Sequence, residues 1–186
     1  MTMQTTIHSS ERVQVWDLLV RLFHWSLVIM VTLTYLLHDQ RSLHRRLGYV
    51  VVGLIAIRLV WGVIGTRHAR FIDFIPGPRR LLTYLRDMLG GREERYLGHN
   101  PAGAAMIVML LMTLCAVGAT GYMMGMEAYF GQSWVENTHK LLVNGLLALV
   151  CCHISGVIFS SWRHRENLVK AMITGQKELH DQNTED

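Results

Sequence analysis

The chain has few charged residues for its length. Charged side chains make up 17 % of its 186 residues and hydrophobic ones 51 %, whereas about a quarter of a typical soluble domain is charged. This composition excludes a disordered chain and an acidic soluble fold. The net charge is +4, but the Lys and Arg residues lie between apolar segments and form no single stripe, so we expect no nucleic-acid partner.

Cysteine is also scarce, and its placement excludes two kinds of protein. Cys115, Cys151 and Cys152 all lie inside apolar runs, without paired spacing and without a C-x-x-C-H motif. We therefore expect neither a disulfide framework nor a covalently attached c-type haem. The N-terminus lacks a basic region before a short apolar core, so we expect no removable signal peptide.

Long apolar runs are the dominant feature of the sequence. Four segments approach the roughly 20 residues that cross about 30 Å of hydrocarbon: residues 18–37, 47–64, 102–124 and 141–162. They predict an all-α fold, an integral membrane four-helix bundle within residues 15–177. Polar tails are predicted at 1–14 and 178–186, and the residues after Gly175 are expected to be mobile.

Two signals predict structure around the third apolar run. Apolar residues recur at helical spacing between residues 79 and 89, which predicts a short amphipathic helix on the membrane surface. Asn100 followed by Pro101 is typical of an N-cap and a first helical residue, and predicts where the third span begins.

Arginine and lysine predict the orientation of the spans. The segment between Gly65 and Pro101 carries seven arginines, and basic residues also flank the first span and follow the fourth. Short loops rich in these residues stay in the cytoplasm. We therefore predict that both termini are cytoplasmic in a bacterial inner membrane, with the loop of Arg41, Arg45 and Arg46 on the outer side.

Histidines within the spans are the strongest functional signal. His139 and His153 are 14 residues apart, which is about 21 Å of rise and close to four whole helical turns, so both lie on one face of the fourth span. Depth matching pairs His153 with His24 near the inner surface and His139 with His44 near the outer surface. Two facing imidazoles can fill both axial positions of a haem iron, which predicts two haems.

Three alternative roles for these histidines are a hydrogen bond between helices, a zinc site and a proton relay. A single buried histidine is more often an interhelical hydrogen bond than a ligand, but four histidines at two matched depths favour ligands. Tetrahedral zinc needs three or four ligands at one point, which two separated pairs do not supply. A proton relay would use acidic partners, and the spans have almost none beyond Asp17.

Two arginines are candidate partners of the inner haem. Arg58 lies within the second span, where a permanent charge needs an anion, and Arg21 lies three residues before His24. We predict that both bind haem propionates. Snorkelling to the inner surface is the alternative, and for Arg21 the two are equally favoured.

The remaining histidines rank lower. His38 competes with His44 for the outer haem, and His44 is favoured because its helix continues to Arg58. His99 is expected to be an exposed interfacial residue, with a ligand role as the alternative. Four histidines in polar segments are expected to face solvent: His8, His68, His164 and His180.

Five segments resemble the bacterial cytochrome b561 and hydrogenase-type cytochrome b membrane subunits. These are VQVWDLLVRLFHW around His24, LHRRLGY around His44, GHNPAGA, THKLLVNGLLALVCCHISGV, and SSWRHRENLVKAMITGQK. The last two are similar to members that work with a dihaem c-type cytochrome or another periplasmic redox partner. The resemblance covers roughly residues 13–177 and implies that His24, His44, His139 and His153 are axial ligands of two b-type haems.

These observations predict a transmembrane cytochrome of a respiratory chain. It would pass electrons between a periplasmic c-type cytochrome or hydrogenase-like protein and the membrane quinone pool. One alternative is a superoxide:quinone oxidoreductase that uses the same haems, with the basic outer loop attracting the anion. Another is a non-redox membrane anchor. The sequence leaves open whether the chain forms a homodimer.

Overall fold

The computed structural model describes residues 12–92, 94, 96 and 98–178. Four long helices form the body of the fold: α1 (Leu18–Leu36), α2 (Arg41–Ile64), α5 (Pro101–Met123) and α6 (Ser133–Arg163). Three short helices connect or follow them: α3 (Phe71–Phe74), α4 (Pro78–Leu89) and α7 (Leu168–Thr174). Two short strands, β1 (Arg12–Gln14) and β2 (Gln176–Glu178), and one 3-10 turn (Glu127–Tyr129) complete the described elements.

All four long helices are long and apolar enough to cross a membrane, so the expected helical membrane architecture is confirmed. Two of them begin earlier than the apolar runs, α2 at residue 41 rather than 47 and α6 at residue 133 rather than 141. Helical backbone hydrogen bonds continue through polar turns that extend beyond an apolar run. The 31 residues of α6 span roughly 46 Å, more than the hydrocarbon thickness.

Side-chain caps define where two of the long helices begin. Asp17 accepts a hydrogen bond from the backbone N–H of Val20, and Asn100 accepts one from Gly103. Pro101 follows Asn100 as the first residue of α5, where the missing proline N–H has no intrahelical partner to lose. The predicted start of the third span is therefore confirmed.

The long helices pack in the order α1, α2, α5, α6, with each helix in close contact with the next. A cluster of apolar side chains from all four helices fills the middle of the bundle. It is built on Val51 and Ile55 of α2, Leu114 of α5 and Leu146 of α6, with Met30 among the α1 residues packed against it. Along the helices, this cluster lies between the two levels that carry the paired histidines.

The two ends of the described chain meet at one end of the bundle, which we call the termini end. Strand β1 pairs antiparallel with β2, with Val13 opposite Lys177. The predicted tails are therefore partly wrong, since residues 12–14 and 176–178 form a small sheet in which backbone groups satisfy one another. The rest of both predicted tails, with His8 and His180, lies outside the described residues. The other end of the bundle, with the α1–α2 and α5–α6 connections, is called the opposite end.

Helix α4 shares its apolar side chains between the protein and the surface. Tyr84 is buried, whereas Leu82 and Leu89 are exposed, and the helix packs against α5. The expected helix is present, beginning at Pro78. Its packing against α5 could not be predicted, because amphipathic spacing alone does not distinguish a lipid surface from a neighbouring helix.

Gly175 is required where the C-terminal strand turns back toward β1. Its φ is +83°, and a Cβ there would lie 2.5 Å from Gln14 Nε2 and 2.6 Å from the Trp16 carbonyl. We expect Gly175→Ala to cost about 2 to 4 kcal/mol, from left-handed strain plus overlap with β1. The measurement is the apparent thermal midpoint of the detergent-solubilised protein.

Gly131→Ala is the matched control for this prediction. Gly131 also has a positive φ, +72°, but a Cβ there meets no atom within 4 Å. It should therefore cost only the backbone strain, about 1 to 2 kcal/mol. Equal losses in the two variants would contradict the close approach between Gly175 and β1.

Candidate functional site

Two of the four predicted histidines lie side by side toward the opposite end of the bundle. The ring centroids of His44 on α2 and His139 on α6 are 6.4 Å apart, with the ring planes at 79°. His38, the rival of His44, is exposed and faces Asp39, with its Nε2 3.3 Å from a carboxylate oxygen. The structure thus brings His44, and not His38, next to His139.

Hydrogen bonds fix which nitrogen of each ring is free. Nδ1 of His44 lies 2.9 Å from the carbonyl oxygen of Thr34. A carbonyl only accepts, so this Nδ1 carries the hydrogen and Nε2 keeps a lone pair. Nδ1 of His139 lies 3.0 Å from Thr120 Oγ1. That hydroxyl can donate its own hydrogen to the Ala116 carbonyl, 2.9 Å away, and accept one from His139 Nδ1. The Nε2 of His139 then keeps its lone pair, as in His44.

The spacing of this pair fits one metal ion between the rings. Imidazole nitrogens bind transition metals at about 2 Å, so two rings on opposite sides of one ion have centroids about 6 Å apart. The observed 6.4 Å matches that value. A histidine that binds a metal through one ring nitrogen usually donates the N–H of the other nitrogen to a backbone or side-chain acceptor. The spacing therefore fits two imidazoles that bind one metal ion.

The helices leave room around these rings. Among described residues, the closely packed helix pairs include neither α1 with α6 nor α2 with α6, the two pairs that carry the histidines. A Cβ added at Gly48, Gly53 or Gly145 would meet no atom within 4 Å. Gly121 lies against His139, with the ring 3.3 Å from where a Cβ would be. A flat macrocycle needs such space between helices.

The second predicted pair lies toward the termini end. His24 of α1 and His153 of α6 are near enough for the charge of one to affect the other. Nδ1 of His24 is enclosed and has no hydrogen-bond partner among the described residues, and its ring packs edge-on against Trp25 at 5.1 Å. An enclosed imidazole nitrogen without a partner is costly unless something else binds it.

Arg58 is buried at the same end of the bundle. Its residue is only 4 % exposed, so the guanidinium does not reach the surface by snorkelling. Nη2 donates to the Ala69 carbonyl at 3.1 Å, and the group stacks on Phe71 at 4.7 Å. Nη1 is enclosed without a hydrogen-bond partner in the described part of the chain, which leaves a buried donor available for an anion.

Asp17 is a carboxylate whose charge affects Arg58, and its oxygens already accept hydrogen bonds from other groups. It accepts hydrogen bonds from the backbone of Val20, from Trp61 Nε1 and from Thr66 Oγ1. Burial alone would raise the pKa of this carboxyl, but the three hydrogen bonds and the charge of Arg58 outweigh burial and lower it. Asp17 thus links α1 to the end of α2 as a stable anion.

Arg21 contacts the C-terminal helix. Its Nη1 donates to the carbonyl of Ile173 in α7, and its Nε is enclosed without a hydrogen-bond partner among the residues described. The side chain lines a groove between α1 and α7 together with Leu22 and Trp25. It therefore connects two elements at the termini end and leaves the enclosed Nε as a donor for another group.

His99 is not the exposed residue that the sequence predicted. Its ring packs between Trp16 and Phe74, with centroids 4.4 and 4.7 Å away, and its Nδ1 is enclosed without a partner in the part of the chain described. No local signal indicates this, because Trp16 and Phe74 come from segments distant in the sequence. His68 also differs from expectation, being partly buried beside Gly98.

No three His, Cys, Asp or Glu side chains converge within residues 12–92, 94, 96 and 98–178. A tetrahedral zinc site would need three or more such ligands at one point. The paired arrangement instead fits a metal whose remaining ligands come from a macrocycle.

Comparisons with known proteins identify the family of the chain. The sequence profile of the prokaryotic cytochrome b561 family matches residues 15–175. The chain is 23 % identical to a probable Ni/Fe-hydrogenase B-type cytochrome subunit of Bradyrhizobium diazoefficiens, over 91 % of this chain and 87 % of that protein. It is 22 % identical to the protein of the same description from Azotobacter vinelandii, over 96 % and 93 %. It is 25 % identical to the protein of the same description from Rhodobacter capsulatus, over 97 % of this chain and 87 % of that protein.

No solved structure matches the chain. The matched profile covers residues 15–175, which include all four paired histidines and all four long helices. The chain therefore belongs to the prokaryotic cytochrome b561 family, as a multi-pass membrane b-type cytochrome that binds haem and transports electrons.

Proposed function

We propose that this cytochrome holds two haem b groups and conducts electrons across a bacterial inner membrane. The observation that carries the proposal is the His44–His139 pair, with centroids 6.4 Å apart and both Nδ1 atoms already engaged. These two residues would hold the outer haem. His24 and His153 would hold the inner haem at the other level of α6.

When bound, the haems supply one-electron redox chemistry, and the protein supplies their ligands, spacing and surroundings. Two histidines per iron leave no coordination position for oxygen or substrate, which favours electron transfer over oxygenation. The apolar cluster around Val51 and Leu146 separates the two levels.

Arg58 would bind a propionate of the inner haem. It offers an enclosed Nη1 without a partner among the described residues. Asp17, a carboxylate within electrostatic range, already accepts three hydrogen bonds. Arg21 is the second candidate, through its enclosed Nε, although its Nη1 is engaged with α7. A guanidinium and a carboxylate in low dielectric form a strong, directional pair.

The sidedness follows from the basic residues. The termini end carries the arginine-rich segment before α5, so by the positive-inside rule it faces the cytoplasm. The outer haem would then lie near the periplasmic surface, within reach of a periplasmic redox protein. The relatives are described as hydrogenase subunits, which favours a hydrogenase-like donor or a c-type cytochrome as that partner and the quinone pool as the second reactant.

Electron passage can be tested in liposomes that contain the purified haem-loaded protein. A short-chain quinol dissolved in the membrane should reduce the haems, and ferricytochrome c added outside should reoxidise them. His153→Ala should block this passage while leaving the outer haem in place. Failure of quinol and of a c-type cytochrome to exchange electrons with either haem would contradict the proposal.

A superoxide:quinone oxidoreductase is the second candidate. Arg41, Arg45 and Arg46 are all exposed in the first turns of α2, next to His44, and would attract a small anion toward the outer haem. This alternative predicts that superoxide alone reduces the haems, without a protein donor. Replacing the three arginines by glutamine should then slow the reduction by superoxide, whereas reduction of the haems by quinol should stay unchanged.

A further inference from the structure

A continuous stack of rings leads from Arg58 to the N-terminal segment. The guanidinium lies 4.7 Å from the Phe71 ring, and Phe71 is 5.8 Å from Phe74. Phe74 is 4.7 Å from His99, which is 4.4 Å from Trp16. We call these four rings, Phe71, Phe74, His99 and Trp16, the inner aromatic stack.

The stack fixes the orientation of His99. The imidazole contacts the rings of Trp16 and Phe74, which come from the N-terminal segment and from α3. Gly62 makes room for the first ring of the stack, since a Cβ there would overlap the Phe71 ring. An imidazole held in this way loses little entropy when it forms a hydrogen bond.

Two enclosed nitrogen atoms lie in the same region without partners. Nδ1 of His99 and Nη1 of Arg58 are both enclosed and have no hydrogen bond to any described residue. His99 lies within electrostatic range of Arg58 and also of His153. Burial, with the neighbouring positive charges, lowers the pKa of His99 to about 3, so the ring is neutral at pH 7 and carries one N–H to donate.

The carboxylates described around these nitrogens are already engaged. Asp17 accepts three hydrogen bonds, Asp73 pairs with Arg70 at 2.7 Å, and Glu166 pairs with Lys177 at 3.2 Å. Enclosed polar nitrogens without partners are rare in folded proteins and indicate a group that comes from elsewhere; a carboxylate would accept from Arg58 Nη1 and from the Nδ1–H tautomer of His99.

We infer that His99 and Arg58 bind the same acceptor, a propionate of the inner haem, and that the inner aromatic stack holds His99 in place for it. This inference rests on the proposed haem at His24 and His153. His99 is then a propionate-binding residue, whose neutral N–H donor acts beside the charged guanidinium of Arg58. By stabilising the propionate with a donor, it offsets negative charge beside the iron and favours the reduced haem.

The test compares His99→Phe with His99→Gln in the haem-loaded protein. Phenylalanine keeps a ring between Trp16 and Phe74 but has no N–H, whereas glutamine keeps a donor. In His99→Phe we expect the equilibrium constant for reduction of the inner haem to fall about threefold to tenfold relative to that of the outer haem. A tenfold fall lowers the midpoint potential by about 59 mV for one electron. His99→Gln should restore part of this shift, and the outer haem serves as the internal control.

A second readout identifies the acceptor. Reduced-minus-oxidised infrared spectra, recorded with haem labelled with carbon-13 at the propionate carboxyls, should show a shifted carboxylate band in His99→Phe. An unchanged inner potential together with an unshifted band would overturn the inference, and would mean that water satisfies His99. Failure of the wild-type protein to bind a haem at His24 and His153 would instead overturn the proposed function.

Discussion

His153→Ala should leave one haem per chain where the wild-type protein holds two. His153 and His24 are within electrostatic range of each other, and in the proposed arrangement both would hold the inner haem, so that removing His153 would release it. His44 and His139, with their own hydrogen bonds to Thr34 and Thr120, should keep the outer haem. Haem extraction with pyridine and protein quantitation measures the ratio, which should fall by half.

The reciprocal variant and a control sharpen this result. His139→Ala should also halve the haem content, but it should remove the other haem, which has a different midpoint potential. His38→Ala should retain both haems, because His38 is exposed and interacts with Asp39. Retention of two haems in purified His153→Ala, or loss of a haem in His38→Ala, would contradict the pairing.

Replacing Arg58 should have the next largest effect. In Arg58→Leu the buried donor is lost and the carboxylate it binds is left without its charged partner, which typically costs about 3 to 5 kcal/mol. The dissociation constant of the inner haem should therefore rise more than about a hundredfold, at about tenfold for each 1.4 kcal/mol. The measurement is transfer of haem from each variant to an excess of apomyoglobin, followed by absorbance.

Two further variants separate the charge of Arg58 from its packing. Arg58→Lys keeps the charge but loses the planar fork that also donates to Ala69, so the inner haem should be held with intermediate affinity. Arg79→Gln removes an exposed arginine of α4 and should change nothing. If Arg58→Leu held the inner haem as tightly as the wild type, Arg58 would have only a structural role.

The sequence was sufficient to predict features that depend on helical periodicity and on depth in a bilayer. Apolar runs predicted the four long helices, and Asn100 with Pro101 predicted the start of α5. The proximity of His44 to His139 followed from helical rise and depth, and the structure brings these rings together. Each of these inferences needs only local periodicity and the thickness of a bilayer.

Features built from distant segments could not be predicted in this way. His99 is enclosed because Trp16, from the N-terminal segment, and Phe74, from α3, meet around it. Residues 12–14 are assigned by the sequence to a polar tail and those after Gly175 to a mobile one, whereas in the structure each strand is formed by pairing with the other. Tertiary contact, rather than local propensity, determines these structures.

Haem quantitation combined with spectroscopy tests the proposed pair of haems most directly. We predict two non-covalent b-type haems per chain, with a reduced-minus-oxidised absorption spectrum typical of cytochrome b. We also predict electron paramagnetic resonance signals of two low-spin ferric irons, because each iron would have two imidazole ligands in the proposed arrangement. A colourless preparation, a single haem per chain, or a high-spin iron with an open coordination position would contradict this arrangement.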